Sequence, residues 1–119
     1  MILGIDIGGT TVKFGIVSDK GEILETERHD TLEYSKSPED FIKLLISVCT
    51  KYTNKHDGLK GIGIGIPGQL SLDRQTLVQA NNLESLNGTD VVPQLKKAFP
   101  YLVVRMENDA NCTALGEMY

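Results

Sequence analysis

An α/β fold built on a mixed sheet is what this sequence predicts, and three observations carry that expectation. Three short strand-like segments joined by tight turns open the chain, a long amphipathic helix pattern follows, and a glycine-alternating strand comes directly after the helix. Short connections make antiparallel hairpins, whereas a strand reached through a helix lies parallel to an earlier one by a right-handed crossover. A sheet containing both connections is mixed, here with five strands flanked by helices.

Ile2 to Ile7, Val12 to Ser18 and Glu22 to His29 are the first three strands, punctuated by the turn signals Gly8-Gly9-Thr10 and Asp19-Lys20-Gly21. Ser37 then offers an N-cap, Pro38 suits the first helical position, and Glu39 and Asp40 fall in the first turn, where the helix dipole favours acids. Phe41, Leu44, Leu45, Val48, Cys49 and Tyr52 recur at helical spacing, which predicts a helix over residues 38 to 54. From Leu59 to Ile66 the chain alternates strictly, with Ile62, Ile64 and Ile66 on one face and Gly61, Gly63 and Gly65 on the other. A glycine face lets a neighbour approach the backbone closely. Residues 69 to 79 read as a polar excursion or small hairpin, and Val92, Leu95 and Phe99 mark a second helix closed by Pro100. Leu102 to Met106 is the fifth strand, and Asn108 to Tyr119 reads as a helix running to the chain end, as expected of a chain cut inside a larger architecture.

At 119 residues the chain is one domain able to bury a core, and too short for a two-domain enzyme. Twelve Lys and Arg against sixteen Asp and Glu leave a net charge of −4, which argues against nucleic-acid or anionic-membrane binding. No apolar run approaches the roughly 18 residues of a membrane span, and the opening MILGIDIGGT lacks the features of a signal peptide. A cytoplasmic protein is expected. Cys49 and Cys112 lie far apart and outside any Cys/His cluster of zinc-ligand spacing, so both read as reduced thiols in the core. His29 and His56 read as exposed and without a role, and Lys96-Lys97 as a solvated helix face.

Four motifs could carry chemistry. In Gly4-Ile5-Asp6-Ile7-Gly8-Gly9-Thr10-Thr11, with Lys13 beyond, a strand delivers a carboxylate and the next turn exposes backbone N–H groups fit to cradle a phosphate. Thr10 and Thr11 add hydroxyl donors, and Asp6 can hold Mg²⁺ directly or through water. The plainer reading is a glycine hairpin turn with a solvated Asp. Gly63, Gly65 and Gly68 form a formal GxGxxG, but Pro67 sits inside it and Gln69 to Asp73 alternates like a strand where a dinucleotide site needs a helix. A buried strand ending in a Pro-Gly turn that can touch a small ligand fits better. Glu107-Asn108-Asp109-Ala110-Asn111 puts a carboxylate near a predicted helix start, where Asn and Asp also serve as ordinary caps. Gln79-Ala80-Asn81-Asn82-Leu83 places two amides in what would otherwise be a turn.

Taken in order, GIDIGGTTVKFGIV, GIGIGIPGQL, ANNL followed by NG, and ENDANCTALGE resemble the ROK family of sugar kinases and sugar-responsive repressors, within the actin-like ATPase superfamily. The resemblance covers essentially all of the chain. It implies the family's N-terminal, smaller domain over residues 1–119: a ribonuclease H-like, actin-like ATPase sheet of order 3-2-1-4-5 flanked by helices. It implies that Asp6, Gly8, Gly9, Thr10, Thr11 and Lys13 face ATP phosphates, with Asp6 at Mg²⁺. It also implies that Gly68, Asn82, Asn108 and Asp109 contact sugar hydroxyls, with Asp109 as catalytic base. The implied reaction moves the γ-phosphate of ATP to a hexose, typically at its 6-hydroxyl. Leu86 departs from the aromatic residue many members carry after the Asn-Leu pair, and Cys112 from a common Ala. The adenosine site, second phosphate motif, remaining sugar ligands and Cys-rich zinc motif belong to the family's second half, so structural zinc is expected only there. Without that half the implied active site is incomplete, and an uncovered domain face predicts self-association, a dimer being the simplest form. A sugar-sensing regulator without catalysis is the alternative the same resemblance allows; no DNA-binding module is visible.

Overall fold

The computed structural model describes residues 1–66, 68–80 and 83–108. The first hairpins form as expected: β1 (Ile2–Ile7) pairs antiparallel with β2 (Thr11–Val17), which pairs antiparallel with β3 (Ile23–Asp30). A single helical turn, α1 (Thr31–Tyr34), follows, which the sequence reading did not predict; Asp30 caps it by accepting from the Leu32 N–H at 2.9 Å. Helix α2 (Pro38–Lys55) starts where its signals place it, with the Ser37 hydroxyl accepting from the Asp40 N–H at 3.1 Å.

Strand β4 (Gly61–Ile66) lies parallel to β1, and all six of its residues are buried. The hairpin expected over 69 to 79 is present as β5 (Gly68–Leu70) and β6 (Leu77–Ala80), a separate two-stranded sheet. A 3₁₀ turn at Glu84–Leu86 and helix α3 (Val91–Ala98) lead to β7 (Val103–Asn108), parallel to β4. The main sheet therefore runs β3-β2-β1-β4-β7, which is the expected 3-2-1-4-5 order with the small hairpin left out of the count.

β7 extends two residues beyond the expected end at Met106. Glu107 and Asn108 remain in the parallel ladder, opposite Gly65 and Ile66, because the partner strand also continues there. The helix expected from Asn108 thus cannot begin before residue 109, and residues 109–119 lie outside the described ones, with Cys112 among them.

One face of the sheet carries Leu3, Ile5, Ile7, Val12, Phe14, Ile16, Ile62, Ile64, Ile66, Val104 and Met106, all buried in one cluster with Phe41, Leu45, Val48 and Cys49 of α2 and Val92 and Leu95 of α3. Each such aliphatic or aromatic side chain stabilises the fold by about 1.5 to 3 kcal/mol. The edge strand β3 departs from that pattern. Its residues opposite Ile16, Phe14 and Val12 are Glu25, Glu27 and His29, and they meet polar groups of α2.

Glu27 accepts from the Tyr52 hydroxyl at 2.7 Å, pairs with His29 Nε2 at 2.6 Å and forms an ion pair with Lys51. Glu25 pairs with Lys55 and with His56 Nε2, each at 2.6 Å. The expectation of two exposed, idle histidines is therefore wrong. Both rings are mostly covered, and His29 also stands edge-on to Phe14 and Tyr34. Cys49 is fully buried as expected.

Candidate functional site

The parallel strands β1, β4 and β7 end together, and register sets their last side chains in rows. Lys13, Asp6, Gly65 and Glu107 form one row across four strands. Paired residues share a face, with neighbouring strands roughly 4.8 Å apart. Asp6 and Lys13 are both exposed there. Gly65, between Asp6 and Glu107 in the row, presents no side chain of its own.

The turn after β1 is tied down from two directions. The Gly8 N–H donates to the Thr11 carbonyl at 3.0 Å, and a Cβ added at Gly8 would lie 3.1 Å from that same oxygen, tighter than side chains tolerate without a shift. From the other direction come two bonds from Thr31, at the start of α1: Oγ1 to the Gly8 carbonyl at 2.8 Å, and N–H to the Thr10 carbonyl at 2.9 Å. Thr10 itself is exposed, and Gly9 is half-buried. Sequence reasoning missed Thr31. Its only sequence signal was a cap-competent Asp30 just before it.

On the opposite side of the same rim, Asn108 ends β7. Its Oδ1 is buried and has no hydrogen-bond partner among the described residues. Buried amide oxygens are rarely left so, since desolvation without a partner costs about 1 to 3 kcal/mol. Gly68 opens the β5–β6 hairpin with φ at 140°, a backbone that side chains rarely adopt, so glycine is required there. The hairpin turn is closed by the Ser71 hydroxyl, which accepts from the Gln75 and Thr76 N–H groups and donates to Asp73. Its Arg74 reaches β7, with Nε donating to Glu107 Oε2 at 2.9 Å.

The fold thus brings Asp6, Gly8, Gly9, Thr10, Thr11 and Asn108 to one rim of the sheet, with Lys13 one ladder step away opposite Asp6. The expected site residues Asn82 and Asp109 lie outside the described ones. Leu86 is buried in the core cluster. Among the described residues no three His, Cys, Asp or Glu side chains gather as a metal cluster. A groove of 560 Å³ lies elsewhere, between β3 and α2, lined by Glu27, His29, Tyr34 and Lys51 among others, and none of the motif residues faces it.

A sheet of this order, with a carboxylate at the end of its first strand and a glycine-threonine turn beside it, has the actin-like ATPase fold. The chain belongs to the ROK family, whose model matches residues 2–119. It is 35% identical over 123 aligned residues to the N-acetyl-D-glucosamine kinase of Vibrio parahaemolyticus, covering all of this chain and 38% of that protein. A protein of Cytophaga hutchinsonii proposed as a sugar kinase superposes with a TM-score of 0.88 at 39% identity, covering 100% of this chain and 39% of that one. The ROK family glucokinase of Streptomyces griseus, solved with glucose and AMPPNP, gives a TM-score of 0.81 at 28% identity over 98% of this chain and 35% of its own. The chain spans about 38% of the length of the curated relatives it matches.

Proposed function

We propose that residues 1–119 are the N-terminal lobe of a ROK sugar kinase that moves the γ-phosphate of ATP to a hexose hydroxyl. The observation that carries this reading is the buried Oδ1 of Asn108, without a partner among the described residues and on the same rim as Asp6 and the Gly8–Thr11 turn. A sugar hydroxyl is a donor of the right kind for that oxygen. The relatives' named substrates, N-acetyl-D-glucosamine and glucose, make an aldohexose or its N-acetylamino derivative the expected acceptor.

The residues present suit a magnesium nucleotide. A Cβ at Gly8 would crowd the Thr11 carbonyl, and Asp6, Thr10 and Lys13 are exposed around the turn. Gly8, Gly9, Thr10 and Thr11 would receive the phosphates, Lys13 would offset their charge, and Asp6 would hold Mg²⁺ directly or through water. Magnesium–ATP supplies the transferable phosphoryl group. What remains for the chain is positioning and electrostatics, the main demands of this reaction class.

Gly68, Asn82 and Asn108 orient the sugar. Asp109 follows Asn108 directly and accepts the proton of the attacking hydroxyl at its carboxylate, a late transfer that an ordinary Asp can manage. Residues of the second lobe enclose the sugar and exclude water.

The test is a coupled ADP-release assay on the full-length protein carrying residues 1–119, over glucose, N-acetylglucosamine and N-acetylmannosamine. Asp109→Asn is expected to abolish sugar-dependent ADP release without lowering the melting temperature; an unchanged rate overturns the reading. Sugar binding with no ADP release by the native protein would support a sugar sensor instead.

A further inference from the structure

Thr31 is wholly buried, although it is polar and begins a single turn of helix. Both of its donors end on the Gly8–Thr11 turn: Oγ1 donates to the Gly8 carbonyl and N–H donates to the Thr10 carbonyl. No peptide bond among the described residues is cis. In a planar trans peptide the carbonyl and the following N–H point in opposite directions. Drawing the Gly8 carbonyl toward Thr31 therefore aims the Gly9 N–H away from it. Drawing the Thr10 carbonyl toward Thr31 does the same to the Thr11 N–H.

The turn would ordinarily close with a bond from the Thr11 N–H back to the Gly8 carbonyl. Among the described residues that bond is not made, and the carbonyl accepts from the Thr31 hydroxyl. Two backbone donors thus emerge on the side opposite Thr31, at the end of β1 that carries Asp6.

We propose that Thr31 is a positioning residue for anion binding, which presets the Gly9 and Thr11 N–H groups to receive phosphate oxygens of a nucleoside triphosphate. The identity of the anion rests on the kinase reading above; the orientation of the donors rests on the turn alone. Without the hydroxyl the Gly8–Gly9 peptide is free to rotate, since glycine on both sides accepts either orientation. The donors would then have to be oriented at the moment of binding, which weakens it. Thr31 itself stays behind the turn and touches no substrate.

The experiment compares the native full-length protein with Thr31→Val, Thr31→Ala and Thr31→Ser. Backbone amide NMR follows Gly9 and Thr11 during titration with Mg·AMPPNP, and steady-state kinetics give the KM for ATP and for sugar separately. The two variants without a hydroxyl are expected to need roughly tenfold more nucleotide, in both the amide shifts and the KM for ATP, as loss of one structural hydrogen bond would give. The KM for sugar should stay within about twofold, and Thr31→Ser should behave as native.

Native KM for ATP and native amide response in Thr31→Val or Thr31→Ala overturn the proposal and leave the kinase reading intact. So does a Thr31→Ser variant that fails as Thr31→Val does, because shape rather than the hydroxyl would then matter. Should one hydroxyl-free variant not fold, the other provides the comparison. If Mg·AMPPNP leaves the Gly9 and Thr11 amides of the native protein unmoved, the proposal falls together with the nucleotide reading of the turn.

Discussion

Arg74, in the turn of the β5–β6 hairpin, reaches across to Glu107 on β7 while holding a left-handed backbone, φ 56°, that a non-glycine residue seldom adopts. The two features oppose each other energetically. A half-exposed ion pair contributes about 0 to 1 kcal/mol, and the left-handed conformation costs about 1 to 2 kcal/mol for a residue with a Cβ. Arg74→Gly removes both, so its unfolding free energy is expected within about 1 kcal/mol of native. Arg74→Val removes the pair and worsens the strain, and urea titration should find it the less stable of the two. Equal destabilisation by both substitutions would contradict this account.

Acid should loosen β3 from α2. Burial pushes the Glu27 carboxyl up, but hydrogen bonds from Lys51, Tyr52 and His29 outweigh it and hold the group down to about 2, from an ordinary 4.5. A lowered folded-state value means that the stabilisation is complete above 4.5 and is lost as pH falls toward 2. The Lys55 and His56 contacts lower Glu25 as well, in the same direction. Urea unfolding at pH 7 and pH 3 should show a smaller difference for Glu27→Gln than for the native chain. Hydrogen exchange should show β3 opening before β1 and β4 as the solution is acidified.

Asn108→Ala separates stability from binding. Its Oδ1 makes no hydrogen bond among the described residues, so removing the amide sacrifices none at that atom and takes away a desolvated polar group. The melting temperature is expected to equal or exceed the native one. Under the kinase reading the sugar KM should rise by at least tenfold. A variant that melts early would contradict this account.

Cys49 should be silent toward thiol reagents. Burial alone pushes its thiol up to about 12, which leaves almost no thiolate at neutral pH. In a Cys112→Ser background, a disulfide-exchange reagent at pH 8 is expected to label the unfolded chain in urea and leave the folded chain unmodified.

Much of this architecture is local, and local patterns were legible. Ser37-Pro38 announced α2, the glycine-isoleucine alternation announced β4, and the Asp6 to Thr11 string located the turn. What escaped is what depends on contact at a distance. Thr31 meets Gly8 across 23 positions, and His56 meets Glu25 across 31, so neither partner leaves a trace near the other. Glu107 looked like part of a helix start because β7 outlasts its apolar alternation by two residues, held by register with Gly65 and Ile66. The family resemblance reached further than the patterns did, since it singled out Asn108, whose Oδ1 is buried without a partner among the described residues, and no periodicity around that residue points to it.

The two rims of the sheet have divided their labour. Asp6, the Gly8–Thr11 turn and Asn108 lie at the ends of β1 and β7, whereas the opposite rim holds the Ser18 to Glu22 turn, the Asp57-Gly58 bend and the Phe99 to Leu102 connection. That lower rim is where the sequence can lengthen, shorten or carry a fluorophore without disturbing the chemistry above it. Divergence among relatives should therefore accumulate there first, and a probe attached at Lys20 should report on the tumbling of the domain while remaining blind to its ligands.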